Sequence, residues 1–297
     1  MATPFLKWVG GKGQLAPQLE CLFPLEIDGY CEPFVGGGAI FFWLQSKNKL
    51  KGAVRLADVN PELINAYTVV RDQPLELAAL LDEHRALHSK DYYYAVRAKS
   101  FVQGVEGAAR TFYLNKTGFN GLYRVNSKGQ FNVPIGSYDN PQLYGMANLM
   151  AASEALHGVE LRCQGFEDSI KASSQKDFLY LDPPYVPLSS TASFTNYVPN
   201  GFGSREQCAL AKALDAAHRR GVRWVLSNSA TQEIESLYQD FRIHQINATR
   251  RINCDATKRG LMTEFAVSNF SMDASTKNRT KKVLPLCATK SEKALAL

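Results

Sequence analysis

Apolar positions along the chain follow two rhythms. Short runs rich in branched and aromatic residues, "GYCEPFV", "AVRLADV", "VELRCQGF", "KDFLYLDP", "GVRWVLSNS", "FRIHQI" and "TEFAVSNF", are bounded by turn-forming residues and predict strands. Between several of them the apolar spacing turns helical. Residues 37–47 are one such stretch; 61–71 is another, opened by "NPE" with Asn60 as cap and Pro61 in the first turn; 204–219 is a third, opened by "SREQ" as a capping box. Strand and helix in alternation predict an α/β sheet that presents its ligands at the carboxyl ends of the strands.

From about residue 62 to 145 the alternation stops. Helical, basic and aromatic sequence ("DYYYAVRAKSF", "AARTFYLNK") runs into "GFNGLYRVNSKGQFNVPIG", which predicts a β-hairpin of Leu122–Val125 and Gln130–Val133 joined by "NSKG". The simplest organisation is a sheet domain made of 1–61 and 146–270, with 62–145 inserted as a mostly helical domain carrying that hairpin. Residues 271–297 have no aromatic residue and no periodicity, and predict a mobile basic tail.

Composition sharpens this picture in one respect. With 297 residues, 45% hydrophobic and 21% charged, the chain has the make-up of a folded globular protein. The opening "MATPFLKWVGGKG" lacks the basic-then-apolar run of a signal peptide, so a cytoplasmic location is expected. The net charge is +6, but residues 1–240 carry 23 Lys and Arg against 24 Asp and Glu, while 241–297 carry 11 against 4. Within 85–130, eight basic residues (Arg85, Lys90, Arg97, Lys99, Arg110, Lys116, Arg124 and Lys128) face only Asp91 and Glu106. Such a run is either a solvated helical face or a surface for phosphates.

The six cysteines show no C-x-x-C pair and no regular spacing, which predicts reduced thiols rather than a zinc site or a disulfide framework. His84 and His88 stand i, i+4 on a predicted helix without a local third ligand, and predict a solvated face. No metal is expected.

In "GYCEPFVGGGAIFFWL" a strand meets three glycines and then a helix, where backbone approaches a ligand closely or simply turns. Gly36 and Gly38 fit the first two glycines of a dinucleotide fingerprint, but Phe41 stands where the third small residue belongs. A pyrophosphate site is therefore not expected. Asp58 closes the next strand, 20 residues after Gly38, where a carboxylate accepts hydrogen bonds from ribose hydroxyls. Ribose without pyrophosphate points to a nucleoside cofactor such as S-adenosylmethionine. The stretch "LKWVGGKG" is not a P-loop, because Lys12 lacks the following Ser or Thr that would hold magnesium.

The stretch "KDFLYLDPPYVPL" ends a buried strand in an acid, two prolines and an aromatic ring. One reading is a strand-terminating turn with a capping Asp. The other is chemistry on an exocyclic amine of a purine, whose lone pair is delocalised into the ring. The Asp182 carboxylate and the Pro183 carbonyl would each accept one N–H and localise that lone pair, with proline fixing φ and removing a competing donor. Tyr185 would stack on the base, which enters such a pocket only after leaving the duplex.

The segments "FLKWVGGK", "EPFVGGGAIFFWL", "FNGLYRVNSKGQFNVPIG", "LDPPYVPLSSTASFTNY" and "SNS", in this order, resemble the Dam-like DNA adenine-N6 methyltransferases of the alpha group (D12 class), over residues 3 to about 270. The resemblance implies a Rossmann-like, S-adenosylmethionine-dependent methyltransferase sheet with an inserted DNA-recognition domain. It implies that Trp8, Lys12, Glu32, Phe34, Gly36, Gly38, Asp58 and Asp182 line the S-adenosylmethionine pocket, with Phe166 or Glu167 bordering the adenine of the cofactor. Asp182, Pro183, Pro184 and Tyr185 then hold the target adenine. Lys7 and the hairpin region read the bases: Arg124 by a bidentate contact to guanine, Phe119, Asn120 and Leu122 by intercalation or base contact, and Pro134 against a thymine methyl. The bland alternatives are Phe119 and Leu122 as hairpin core, Asn120 as a turn residue and Arg124 as a phosphate contact.

The implied partner is double-stranded DNA, with GATC as the implied target; the implied protein is a monomer at the nucleoid, and a cognate restriction endonuclease fits the same resemblance. Phe119 lacks the hydroxyl that some relatives carry, and the loop "RRINCDATKRGLMTEF" departs from the basic, glycine-containing stretch expected before the last strand. Other readings are methylation of adenine in another sequence or in RNA, and a DNA-binding regulator without turnover. Protein glutamine methylation is disfavoured by Asp182, since Asn at this position goes with that substrate.

Overall fold

The computed structural model describes residues 1–185, 202–249 and 261–271. Among them, seven strands form one sheet: β1 (Ile27–Glu32), β2 (Leu50–Asp58), β3 (Glu160–Cys163), β4 (Asp177–Leu181), β5 (Arg223–Ser229), β6 (Arg242–Thr249) and β7 (Leu261–Ser268), in the order β3-β2-β1-β4-β5-β7-β6. The strands from β3 to β5 run parallel, and β7 runs antiparallel between β5 and β6. Each of the seven predicted runs contains or overlaps one strand. The order turns back at β1, whose neighbours are β2 and β4, so the carboxyl ends of these three strands border the crevice where α/β sheets take ligands.

Side-chain alternation divides the core into two layers. Phe178 and Tyr180 of β4, Val225 of β5 and Ala266 of β7 enter one cluster. Their neighbours Leu179, Leu181, Trp224, Leu226, Phe265 and Val267 enter the other. Every residue of β4 is buried, as expected of a central parallel strand.

Ten helices lie among the described residues: α1 (Ala16–Leu19), α2 (Ala39–Ser46), α3 (Pro61–Asp72), α4 (Pro74–Ala86), α5 (Lys90–Ala98), α6 (Val105–Thr117), α7 (Met146–Leu156), α8 (Phe166–Lys171), α9 (Ser204–Arg219) and α10 (Gln232–Leu237). No described helix is long and apolar enough to cross a membrane. The cluster that takes Phe178 and Tyr180 extends without a break into α4, α5 and α6 through Leu77, Leu81, Tyr93, Val96, Phe112 and Tyr113.

The cap of α3 is as expected: the Asn60 side chain accepts the N–H groups of Glu62 and Leu63 at 3.0 and 3.2 Å. That of α9 differs. Gly203 is its cap, Ser204 is its first residue, and the Glu206 carboxylate accepts the Gly203 N–H at 2.8 Å. Only half of a capping box exists there, because glycine has no side chain to return the bond.

The predicted hairpin forms as an irregular ribbon. Its pairing is confined to the isolated bridges Val125–Phe131 and Gly118–Ile135, rather than a continuous ladder. Asn126 folds the tip by accepting the N–H groups of Lys128 and Gln130 on its side chain. These local bonds compete with the ladder. The solvated face expected at His84 and His88 is also corrected: both rings are half-buried. His84 stacks on Tyr113 with centroids 4.9 Å apart, and His88 joins the Tyr113 hydroxyl and the Tyr138 carbonyl, each at 2.9 Å. Cys31, Cys163 and Cys208 are free thiols. The expected tail falls almost entirely on residues 272–297, outside the described residues, as do 186–201 and 250–260 of the motif segments.

Candidate active site

The glycine run leads from the buried end of β1 into α2. Gly36 and Gly38 have φ of 46° and 68°, the left-handed region that favours glycine. Space is closed there as well: a Cβ on Gly36 would lie 2.9 Å from Cδ1 of Trp8, and one on Gly38 would lie 2.4 Å from the Tyr67 hydroxyl. Asp58, at the end of β2, straps this loop in place. One carboxylate oxygen accepts the Gly36 N–H at 3.2 Å and the other accepts the Asn60 N–H at 3.0 Å. Tyr67 adds a bond from its hydroxyl to the Gly36 carbonyl at 3.1 Å. Burial pushes the Asp58 carboxyl up to about 6, while the N–H groups of Asn60, Gly36 and Val59 pull it back.

Phe34 stacks on Phe166, with centroids 5.6 Å apart and planes 24° from parallel, and Phe202 meets both edge-on. The structure thus joins two residues predicted to flank one ligand. Glu167, offered as the alternative to Phe166, is exposed in the first turn of α8. Glu32 is buried and receives the Tyr30 hydroxyl at 2.8 Å. Burial raises it to about 8, the Asp182 charge adds to the rise, and the Tyr30 bond opposes it.

Asp182 follows β4 directly. Its carboxylate lies 2.9 Å from the ammonium of Lys12, which is itself buried and donates to the Gly10 carbonyl at 2.9 Å. Burial raises Asp182 to about 6; Lys12 lowers it and Glu264 raises it. The Lys12 ammonium also stands 4.6 Å from the centre of the Tyr185 ring. The Tyr185 hydroxyl donates to Glu264 at 2.6 Å, and Glu264 lies 3.9 Å from the Lys12 ammonium. Pro184 is held from behind, its carbonyl accepting from Gln207 at 3.3 Å, while Asn228 donates to Gln207 at 3.0 Å. A buried acceptor, a buried cation and an anchored aromatic ring therefore meet at the end of the central strand, and Pro183 lies between Asp182 and Pro184.

The residues expected to face DNA occupy a second region. Lys7 spans from Asn115, which exchanges two backbone bonds with it at 2.8 and 2.7 Å, to the Tyr138 hydroxyl at 3.1 Å and the Lys116 carbonyl at 3.3 Å. Burial and the Lys7 charge push the Lys116 ammonium down to about 8. Phe119 is 47% exposed and adjoins Asn120, a non-glycine residue at φ 56°. Leu122 is half-buried against the core, and Pro134 is exposed, its carbonyl accepting the Phe119 N–H at 2.9 Å. Arg124 is braced within the ribbon, bonding the Asn132 side chain at 2.7 Å and its carbonyl at 3.3 Å. Tyr123 bridges the two regions. Its ring stacks on Trp8 at 5.4 Å, and its hydroxyl reaches the Asn60 side chain at 3.5 Å.

Comparison with known proteins decides what this arrangement belongs to. The family model describing D12 class N6 adenine-specific DNA methyltransferases matches residues 8–252. The chain belongs to that family. It is 41% identical over 275 residues to a type II methyltransferase of Lactococcus lactis subsp. cremoris, covering 90% of this chain and 95% of that protein. A type II methyltransferase of Methanocaldococcus jannaschii is 40% identical over 274 residues, covering 86% and 94%. A DNA adenine methylase of Vibrio cholerae is 34% identical over 270 residues, covering 88% and 94%. Family membership supports N6 adenine methyltransferase activity on DNA, and methyltransferases of this kind use S-adenosylmethionine.

The residues present fit that cofactor. The glycine loop has no room for a Cβ on Gly36 beside Trp8, an aromatic pair stands at the mouth of β1, and the Asp58 carboxylate, with about four acceptor sites and backbone N–H groups of Gly36, Asn60 and Val59 on it, keeps capacity for a further donor. Several residues of this D12 class methyltransferase carry no sign of their role in the sequence. Glu264 lies on a strand legible only as an apolar run. Tyr67 and Tyr123 look like ordinary core aromatics. Gln207 is legible only as the last residue of the expected capping box "SREQ", and Asn228 belongs to "SNS", which signals a motif without saying what it binds.

Proposed function

We propose that this D12 class methyltransferase flips the target adenine of double-stranded DNA, within GATC, and transfers the methyl group to its N6. S-adenosylmethionine, when bound, would supply an electrophilic methyl group, its C–S bond breaking to leave a neutral thioether while the methylated amine gives up one proton. The residues that would hold it are Trp8, Lys12, Glu32, Phe34, Gly36, Gly38, Asp58 and Phe166. In this reading the adenine amine donates one hydrogen to Asp182 and the other to the Pro183 carbonyl, which draws the nitrogen toward tetrahedral geometry and frees its lone pair. Tyr185 stacks on the extruded base with the ring face away from Lys12, and Pro184, tied to Gln207, fixes the turn. Unstacking costs a few kcal/mol, and stacking at ~1–3 kcal/mol offsets much of it. The observation that carries the proposal is the Asp182 carboxylate, held beside Lys12 at 2.9 Å at the end of β4 and next to the loop of Gly36 and Gly38 in the sheet order.

The insertion over 62–145 supplies target recognition in this proposal, and 1–61 with 146–270 supplies catalysis. Lys7, Phe119, Asn120, Leu122, Arg124 and Pro134 read the site. The bracing of Arg124 by Asn132 supports a guanine contact, because it fixes the plane of the guanidinium. The enzyme acts as a cytoplasmic, nucleoid-associated monomer, and relatives named type II methyltransferases make a cognate restriction endonuclease the first partner to test. Incubation with methyl-labelled cofactor and duplexes that carry GATC or a near-cognate site checks the proposal. Label on adenine N6 of GATC is expected; label on cytosine, on protein, or equally on near-cognate duplexes contradicts it.

A further inference from the structure

We infer that Glu264 is a positioning residue for methyl transfer: it anchors the Tyr185 hydroxyl and shares the Lys12 ammonium, so that the Asp182 carboxylate stays open to the adenine amine. This rests on the proposal that Asp182 grips that amine.

The sheet topology places Glu264 there. β7 runs antiparallel to β5, and its register sets Glu264 opposite Ser229 at the carboxyl end of β5, beside the end of β4. Glu264 takes the Tyr185 hydroxyl at 2.6 Å and lies 3.9 Å from the Lys12 ammonium, which is 2.9 Å from Asp182. The side chains of Lys12, Asp182 and Glu264 are 7%, 19% and 14% exposed, so these charges meet with little water between them.

Lys12 and the adenine amine compete for the same carboxylate. One cation between two carboxylates leaves an excess of acceptor capacity, whereas one cation facing Asp182 alone would close a pair around it. The Tyr185 bond serves a second purpose, since a ring that stacks on a base needs a fixed plane and a hydroxyl tied at its far end supplies one. The titratable groups around Asp182 are Lys12 from the N-terminal segment, Glu32 from β1, Tyr180 from β4, Tyr185 and Glu264 from β7. Of the two that act directly on its acidity, Lys12 favours the carboxylate and Glu264 opposes it.

The test is Glu264→Gln in the full chain, beside Glu264→Asp and Tyr185→Phe. Single-turnover transfer to an adenine-containing duplex is followed across the acid range, with cofactor affinity and thermal stability measured in parallel. Glu264→Gln should slow transfer about tenfold while cofactor affinity stays within about twofold. The acid limb of its pH profile should move to lower pH, because a negative neighbour of Asp182 is gone. Glu264→Asp should recover part of the rate, and Tyr185→Phe should combine with Glu264→Gln less than multiplicatively. Unchanged rate and acid limb, or a loss that follows thermal stability alone, overturns the inference. Should Glu264→Gln fail to fold, an unimpaired Tyr185→Phe enzyme overturns it instead. Asp182→Ala separates the two layers: activity retained there sinks the Asp182 reading itself, whereas an inactive Asp182→Ala with a silent Glu264→Gln sinks only the role of Glu264.

Discussion

The proposed catalytic end of the molecule and its proposed base-reading end are built by opposite means. Around Gly36, Asp58 and Asp182 the backbone comes straight off strand ends, and each functional group is fixed by at least one further bond or contact. Around Phe119 to Pro134 regular pairing is confined to isolated bridges, Phe119 is exposed, and Asn120 takes a left-handed conformation. The ribbon is held from below instead: the Tyr93 hydroxyl and the Arg97 guanidinium donate to the Val133 carbonyl at 3.0 and 3.1 Å. A rigid scaffold suits a reaction that depends on placing one nitrogen against one carbon. An irregular surface anchored at its base suits the reading of edges whose pattern differs from site to site.

The contrast breaks most visibly at Asp182. Asp182→Ala should lower single-turnover transfer by about a thousandfold, the scale of losing a charge-stabilising contact, with cofactor affinity measured by calorimetry largely kept. Gly38→Ala comes next. Its Cβ would collide with the Tyr67 hydroxyl at a φ of 68°, and a left-handed alanine adds ~1–2 kcal/mol of strain. Weaker cofactor binding and a lower melting temperature are expected, and adding Tyr67→Phe should recover the steric part but not the strain.

A pH effect sharpens the same side of the comparison. Glu32 is raised from its ordinary 4.5 to about 8 by burial, so the folded chain holds a proton there that the unfolded chain releases above its ordinary value. Stability from this group is therefore present at low pH and lost as pH rises through the window between those values. Glu32→Gln should flatten the fall of melting temperature across that window.

Some of this was legible in the sequence and some was not, for definite reasons. All seven strands announced themselves because a half-buried or fully buried strand must carry apolar residues in a short run. Asp182, Lys12, Gly36 and Asp58 stood out because each sits in a local motif. Glu264 did not, because its partnership with Tyr185 exists only through the insertion of β7 between β5 and β6, a contact 79 positions apart in sequence. The packing of His84 and His88 is not legible, because i, i+4 spacing shows which face they share, not what packs on it. The place of the hairpin is legible but its irregularity is not, since the pull of the Asn126 side chain on its own turn is invisible to a period-two pattern.

Smaller effects belong to the ribbon. Arg124→Ala should cost ~1–3 kcal/mol of discrimination at one base pair, seen as faster methylation of near-cognate duplexes relative to GATC. Asn120→Gly should change thermal stability by less than about 1 kcal/mol, because glycine accepts the left-handed conformation that Asn120 already holds. A change in site preference without a change in stability would assign Asn120 to DNA.

The most direct measurement is the rate of a single methyl transfer as a function of pH, in the natural enzyme and in Asp182→Asn. With Asp182 raised to about 6 by burial, the rate should fall as pH drops through that value while the carboxylate takes up its proton. In Asp182→Asn, whose side chain does not titrate, that limb should vanish. An acid limb that persists unchanged in Asp182→Asn would mean that another group controls the reaction, and that the buried carboxylate after β4 does not hold the adenine.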